Sequence, residues 1–162
     1  MSSLDTRPRN FSVRESFTSE AKAEFAGTTY IRDFLCKEQG APAAKTAAAT
    51  LTAAELYGGL ITISQNTTAT VALTLPTGAE LDAALDHAGL PMSANDSFDF
   101  TIINLDTNAA ANTATLTAGA SGISIVGAAV IPSAHSTTVQ NSARTFRCRK
   151  TAANTFVIYA LN

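Results

Sequence analysis

Residues 98–126 read FDFTIINLDTNAAANTATLTAGASGISIV, and the alternation of apolar and polar side chains along this stretch decides the fold class. Phe98, Phe100 and Ile102 stand against Asp99 and Thr101; after a loop at 106–112 the alternation resumes with Ala114, Leu116 and Ala118 against Thr113, Thr115 and Thr117. A period of two belongs to a β-strand with one oily and one wet face. The spacing predicts a hairpin with a long tip. A tight turn from Gly119 to Gly122 then leads into a third strand at 123–126, so the three segments are expected to form a meander with one face to bury. The rest of the chain must cover that face.

Upstream, residues 60–64 read as a strand, 65–68 as a turn, and 69–75 as a second strand with Val71, Leu73 and Leu75 on one face, which Pro76 stops. Residues 77–88 are the clearest helix. Thr77 and Glu80 have capping-box spacing, Gly89 and Pro91 close the far end, and Leu81, Ala84, Leu85 and Ala88 make one narrow apolar stripe. Asp82 and Asp86 are expected to face solvent. A second box, Thr52 with Glu55, opens a short helical turn ended by Gly58 and Gly59, and residues 40–50 (GAPAAKTAAAT) read as a linker or loose loop. Downstream, 127–132 is an apolar passage of small residues and 136–140 a Thr-rich strand. Residues 144–150 alternate Phe146 and Cys148 against Arg147 and Arg149, before a turn at 152–154 and a closing strand at 155–161. Roughly eight short strands with one helix predict a mainly β chain, an antiparallel β-sandwich or jelly-roll-like domain. No βαβ rhythm is present, so a parallel sheet is not expected. The division is an extended N-terminal arm at 1–45 and a β-sandwich oligomerisation domain at 46–162.

The 162 residues carry 11 basic and 13 acidic groups, a net charge of −2, which excludes a whole-molecule electrostatic nucleic-acid binder. Charged residues are 15% of the chain, against about 25% in a typical soluble protein. Ala and Thr take their place. Either much of the surface is buried against copies of the chain or another protein, or hydroxyls keep a Thr-coated β-protein in solution, and composition leaves both readings open. No run of about 20 apolar residues is present, so no membrane partner is expected. The start, MSSLDTRPRN, lacks the apolar core of a secretory leader, which points to synthesis in the cytoplasm. Cys36 and Cys148 are too few for a disulfide framework; both are expected as free thiols, Cys148 buried on the Phe146 face.

Residues 1–45 hold more than half of the charged side chains, without a sustained helical stripe. Such a segment cannot bury enough apolar area to fold alone, but it can lie along a partner. Its candidate docking residues are Arg7, Arg9, Phe11, Arg14, Phe17, Phe25, Tyr30 and Phe34, with a strand at 28–35 tying arm to body. From Lys45 to Arg144 there is no intervening Lys or Arg, so Arg144, Arg147, Arg149 and Lys150 form a local positive stripe. It reads either as an interaction stripe or as a charged edge that resists stray strand pairing.

Chemistry is sparse. His87 follows Asp86 near the helix end, and His135 sits in a Ser-rich loop beside Ser133 and Ser136, but no nucleophile-elbow motif accompanies either. Asn95, Asp96 and Asp99, or Asp106 with Asn108, are calcium-type ligands, yet turns gather Asn and Asp for conformational reasons alone. With no metal motif, no phosphate cradle and no Trp, and with only Tyr30, Tyr57 and Tyr159 to stack a sugar, no catalytic residue, metal or cofactor is assigned.

Four stretches, LITISQNTTATVALTLPTGAELDAAL (60–85), DSFDFTIINLD (96–106), TATLTAGASGISIVG (113–127) and TFRCRKTAANTFVIYAL (145–161), resemble virion surface proteins of tailed bacteriophages. The likeness is to small capsid decoration or cement proteins and head-fibre proteins. It lies in a strand ending LPT before a helix, a strand ending IIN, and a closing TFR…T…YAL pair, and it leaves the arm unmatched. It implies a non-enzymatic structural protein that decorates and stabilises the capsid as a homotrimer on the virion surface. Its partner would be the major capsid protein, with contacts to other virion proteins and none to nucleic acid. The alternative it implies is a receptor- or glycan-binding domain of a head or tail fibre. Outside the resemblance, a small hydrolase acting on cell-surface polymer would need His87 or His135.

Overall fold

The computed structural model of the protein describes residues 39–65, 70–108, 112–135 and 142–161. The arm residues from Arg7 to Phe34, Cys36 and the strands expected at 28–35 and 136–140 lie outside them. The elements are β1 (Ala43–Lys45), β2 (Ala49–Thr50), α1 (Ala53–Tyr57), β3 (Leu60–Ile63), β4 (Val71–Thr74) and α2 (Gly78–His87). They continue with β5 (Ser97–Asn104), β6 (Ala114–Thr117), β7 (Ile123–Val126), β8 (Val130–Ile131), β9 (Ala143–Ala152) and β10 (Thr155–Ala160).

These residues are mainly β, in a six-stranded sheet ordered β1-β3-β5-β9-β10-β7 and a four-stranded sheet ordered β2-β4-β6-β8. From β1 to β9 every successive strand changes sheet, so only β9 and β10 are neighbours both in sequence and in space. The expected hairpin of 98–102 with 114–118 does not form, because β5 and β6 belong to different sheets. Nor does the meander: Ile123 to Val126 pair in parallel with Phe156 to Tyr159. Alternation tells which face of a strand is buried but not which strand lies beside it.

The antiparallel expectation is corrected for the same reason. Five of the eight pairings among the described residues are parallel: β1 with β3, β3 with β5, β2 with β4, β4 with β6, and β7 with β10. In four of the five, β1 with β3, β2 with β4, β3 with β5 and β4 with β6, the chain crosses to one strand of the opposite sheet and returns in the direction in which it left, whereas the same excursion through β7 brings β8 back antiparallel to β6. Parallel strands need a crossover, and here an opposite-sheet strand supplies it where a helix usually would. Residues 40–50, expected as a linker, contain the short outer strands β1 and β2.

Both sheets feed one apolar cluster. Ile61, Phe100, Ile102, Phe146 and Phe156 come from the larger sheet, Leu73, Ala114, Leu116 and Ile131 from the smaller, and Leu56, Leu81 and Leu85 from the helices. Phe100 and Phe146 stack with ring centroids 5.4 Å apart. Both capping boxes form: Thr52 Oγ1 accepts from Glu55 N at 3.3 Å and Thr77 Oγ1 from Glu80 N at 3.2 Å, while each glutamate accepts from its threonine's backbone N–H. The buried face of α2, however, is Gly78, Leu81, Asp82 and Leu85, one position round from the expected stripe. Ala88 is exposed.

Gly78 explains the rotation. Its N–H donates to Ser121 O at 2.9 Å, and a Cβ on it would stand 2.0 Å from Asn154 O. Gly122, at φ +73°, approaches the same oxygen, with a Cβ that would lie 2.3 Å away. The start of α2, the turn before β7 and the β9–β10 turn thus meet backbone to backbone, where no side chain fits. Gly78→Ala is expected to cost about 3 kcal/mol through overpacking, read as a lower urea midpoint at unchanged m. The control Gly40→Ala, whose Cβ meets nothing within 4 Å, should stay within about 0.5 kcal/mol of the parent.

Candidate functional site

The basic stripe of β9 is divided by the pleat. β9 lies between β5 and β10, so it is a central strand and not a charged edge. Arg144 and Lys150 flank Phe146 and Cys148 at the ends of the inward row, while Arg147 and Arg149 point outward. Arg144 Nη1 donates to Ala128 O at 2.6 Å. Lys150 Nζ donates to Asp82 Oδ1 and, at 2.9 Å, to Met92 O. Asp82, expected in solvent, is 8% exposed, and its second oxygen accepts from Asn154 N at 2.9 Å. Burial pushes its carboxyl pKa up, but the Lys150 ammonium and the Asn154 N–H outweigh burial and hold it below the ordinary 3.8.

The outward pair has a different setting. Arg147 clamps Asp99 through two bonds, Nε to Oδ1 at 2.7 Å and Nη2 to Oδ2 at 2.8 Å. That bond, reinforced by charge against a smaller opposing effect of burial, lowers the Asp99 carboxyl pKa. Arg149 donates to Asn95 Oδ1, on a residue held at φ +79°. Register then lays out a row across the outer face of the large sheet: Asp99 on β5, Arg147 on β9, Tyr159 on β10 and Val126 on β7. One row along, the hydroxyls of Thr101 and Thr145 lie 3.1 Å apart, and Leu161 N donates to Thr145 O.

Val126 and Leu161 are 51% and 48% exposed at the β7 corner of this face, and Val130, 44% exposed, lies on β8 of the smaller sheet. β7 is the terminal strand in the sheet order, and among the described residues nothing pairs with its far side. Tyrosine and arginine, here Tyr159 and Arg147 in one row, are the residue types enriched at protein–protein contacts.

The remaining candidates are not drawn together. His87 is exposed on the last turn of α2; His135 is exposed, with its backbone N–H on Asp106 O at 3.0 Å, and among the described residues neither imidazole bonds a serine or carboxylate. Tyr57 on α1 packs against the core and Tyr159 lies on β10. Of the calcium-type ligands, Asn95 and Asp99 are taken by arginines, and Asp96 Oδ2 accepts from Ser93 N at 2.7 Å. Among the described residues there is no group of three or more His, Cys, Asp or Glu placed for a metal ion, and no helix is long and apolar enough to cross a membrane. Comparison with protein-family models, with curated proteins and with solved structures found no match.

Three outcomes follow from the inward row. Lys150→Met leaves Asp82 buried and unpaired and should cost about 3 kcal/mol, much of it recovered by adding Asp82→Leu. Because the Asp82 carboxyl pKa is lowered on folding, its contribution is complete above pH 3.8 and fades as pH falls through the lowered value. Acid titration of Asp82→Asn followed by circular dichroism should therefore show a shallower acid limb. Cys148 is fully buried and its thiol pKa is pushed up to about 12 by that burial. In a Cys36→Ser chain it should stay unreactive to a disulfide reagent at mildly alkaline pH until urea unfolds the protein.

Proposed function

We propose that this chain is a non-enzymatic virion protein of a tailed bacteriophage, one that decorates and stabilises the capsid as a homotrimer. In this reading residues 7–34 dock on the major capsid protein, the β-domain forms the trimer at the virion surface, and neighbouring virion proteins pack around it. The two sheets that share one apolar cluster are read as the layers of a sandwich.

The observation that supports the reading is the β7 corner. Residues 107–143 contain no Asp, Glu, Lys or Arg, and within them lies β7, which carries exposed Val126 and whose far edge is unpaired among the described residues. Edge strands of monomers are ordinarily blunted by charge or proline. An edge that is left uncharged, apolar and open suits pairing with another copy, and symmetry then closes the assembly. Arg147 and Arg149 would sit at the rim of that contact, where charge sets orientation more than affinity. The fibre-tip reading lacks comparable support, since Tyr57 and Tyr159 stand on separate elements.

Light scattering of the purified chain should give three times its 16.8 kDa mass. Val126→Glu combined with Leu161→Glu should give the monomer. A chain lacking residues 1–38 should keep the trimer and lose binding to purified capsids. A monodisperse wild-type monomer, or full capsid occupancy without the arm, overturns the proposal.

A further inference from the structure

Where β3 and β5 leave the large sheet, polar groups replace the apolar core. Ile63 is the register partner of Asn104, and two residues further on Gln65 and Asp106 are 1% and 2% exposed. Asn104 Nδ2 donates to Asn112 O at 2.9 Å and to Ile131 O at 3.3 Å, while Asn104 Oδ1 accepts from Asp106 N at 3.1 Å. His135 N donates to Asp106 O at 3.0 Å. The chain from Ile131 to His135 therefore runs beside Asp106, and Ser133, 2% exposed, lies midway along it. Gln65 Nε2 donates to Thr113 O and Asn112 Nδ2 to Asp106 Oδ1, both at 3.1 Å. These bonds link Gln65, through Thr113, with Asn112 and Asp106 in one knot at the end of the two sheets, Asp106 Oδ1 also accepting from Asn108 N at 2.8 Å, and Ser133 stands on the segment that runs beside it.

Among the described residues, four side-chain oxygens in this knot are buried without a hydrogen-bond partner: Gln65 Oε1, Asp106 Oδ2, Asn112 Oδ1 and Ser133 Oγ. The two amides are not merely turned the wrong way. Rotating Asn112 would set its oxygen against Asp106 Oδ1, and rotating Gln65 would set its oxygen against Thr113 O. Both nitrogens are thus committed and both oxygens left over. Among the described residues no ion pair includes Asp106. A buried water and the Ser133 hydroxyl could supply protons to the three obligate acceptors, but they leave the buried carboxylate charge uncompensated. A hard cation meets both demands. Carboxylate, amide and hydroxyl oxygens are calcium donors, with waters completing the shell.

We infer that Gln65, Asp106, Asn112 and Ser133 form a calcium site that pins the ends of β3, β5, β6 and β8 together. One carboxylate among neutral donors places it with weak, extracellular-type sites, at a Kd of about 10⁻⁴ to 10⁻³ M.

The test is the melting temperature of the full chain, stripped with chelator and titrated with calcium chloride, with magnesium chloride in parallel. Calcium should raise Tm saturably and more than magnesium does. At about a hundred times Kd the folded-to-unfolded ratio should rise about a hundredfold. Terbium luminescence should appear on binding and be displaced by calcium. Asp106→Asn should abolish both responses, Ser133→Ala should weaken calcium binding while keeping the parent fold, and Asp86→Asn, on the exposed face of α2, should leave both intact. If Asp106→Asn does not fold, Ser133→Ala and terbium binding to the wild-type chain decide. A Tm indifferent to calcium up to about a hundred times that Kd, with no terbium signal, which is the outcome for water alone, overturns the inference. So does a response unchanged in Asp106→Asn or, where that variant is unfolded, in Ser133→Ala.

Discussion

Asp82 is the joint between α2 and the β9–β10 pair. One oxygen takes the Lys150 ammonium from β9, the other takes the N–H of the Asn154 turn, and Lys150 passes the connection on to the Met92 carbonyl. A single carboxylate therefore fixes α2 to β9 and β10, among the described residues the sole pair of strands that are neighbours in both sequence and space. Ionised groups this deep are tolerable only when every lone pair is answered, and here both oxygens are. The three-way backbone meeting of Gly78, Gly122 and Asn154 lies alongside it. Geometry and charge bind the same corner.

Around that joint the chain is woven rather than stacked. Each pass through one sheet is followed by a pass through the other, so the two layers are mutually dependent and their apolar faces close on one cluster. The weave also separates roles by face. Inward positions of β9 carry a cation at each end of a core pair, whereas its outward positions carry Arg147, in line with Tyr159 and Val126, and Arg149, in line with Val157.

Much of this was legible in residue patterns, and the parts that were not have a common cause. Capping boxes, the closing turn, and the buried faces of Phe100, Leu116 and Phe146 are local properties, set by neighbours a few positions away, and they agree with the structure. Strand partners are not local. Nothing in the spacing from Ile102 to Ala114 distinguishes a hairpin from a crossing. Asp82 was misread because a charge beside an apolar stripe normally points to water, and the lysine that admits it to the interior is 68 positions away. The outer-face row was invisible for the same reason: its members come from four strands and only pairing register aligns them. The polar knot left traces in its Asn and Asp residues, but turns use the same letters.

The weave also governs how the chain comes into being. During synthesis β5 has one flank bare until β9 has been made, and β7 finds no partner at all until β10 follows it. Pairings of such long range close slowly, so the larger sheet can be completed only after most of the nascent polypeptide has left the ribosome. In the interval an uncharged strand waits in the open, and assembly competes with aggregation from the first moments of the molecule's life.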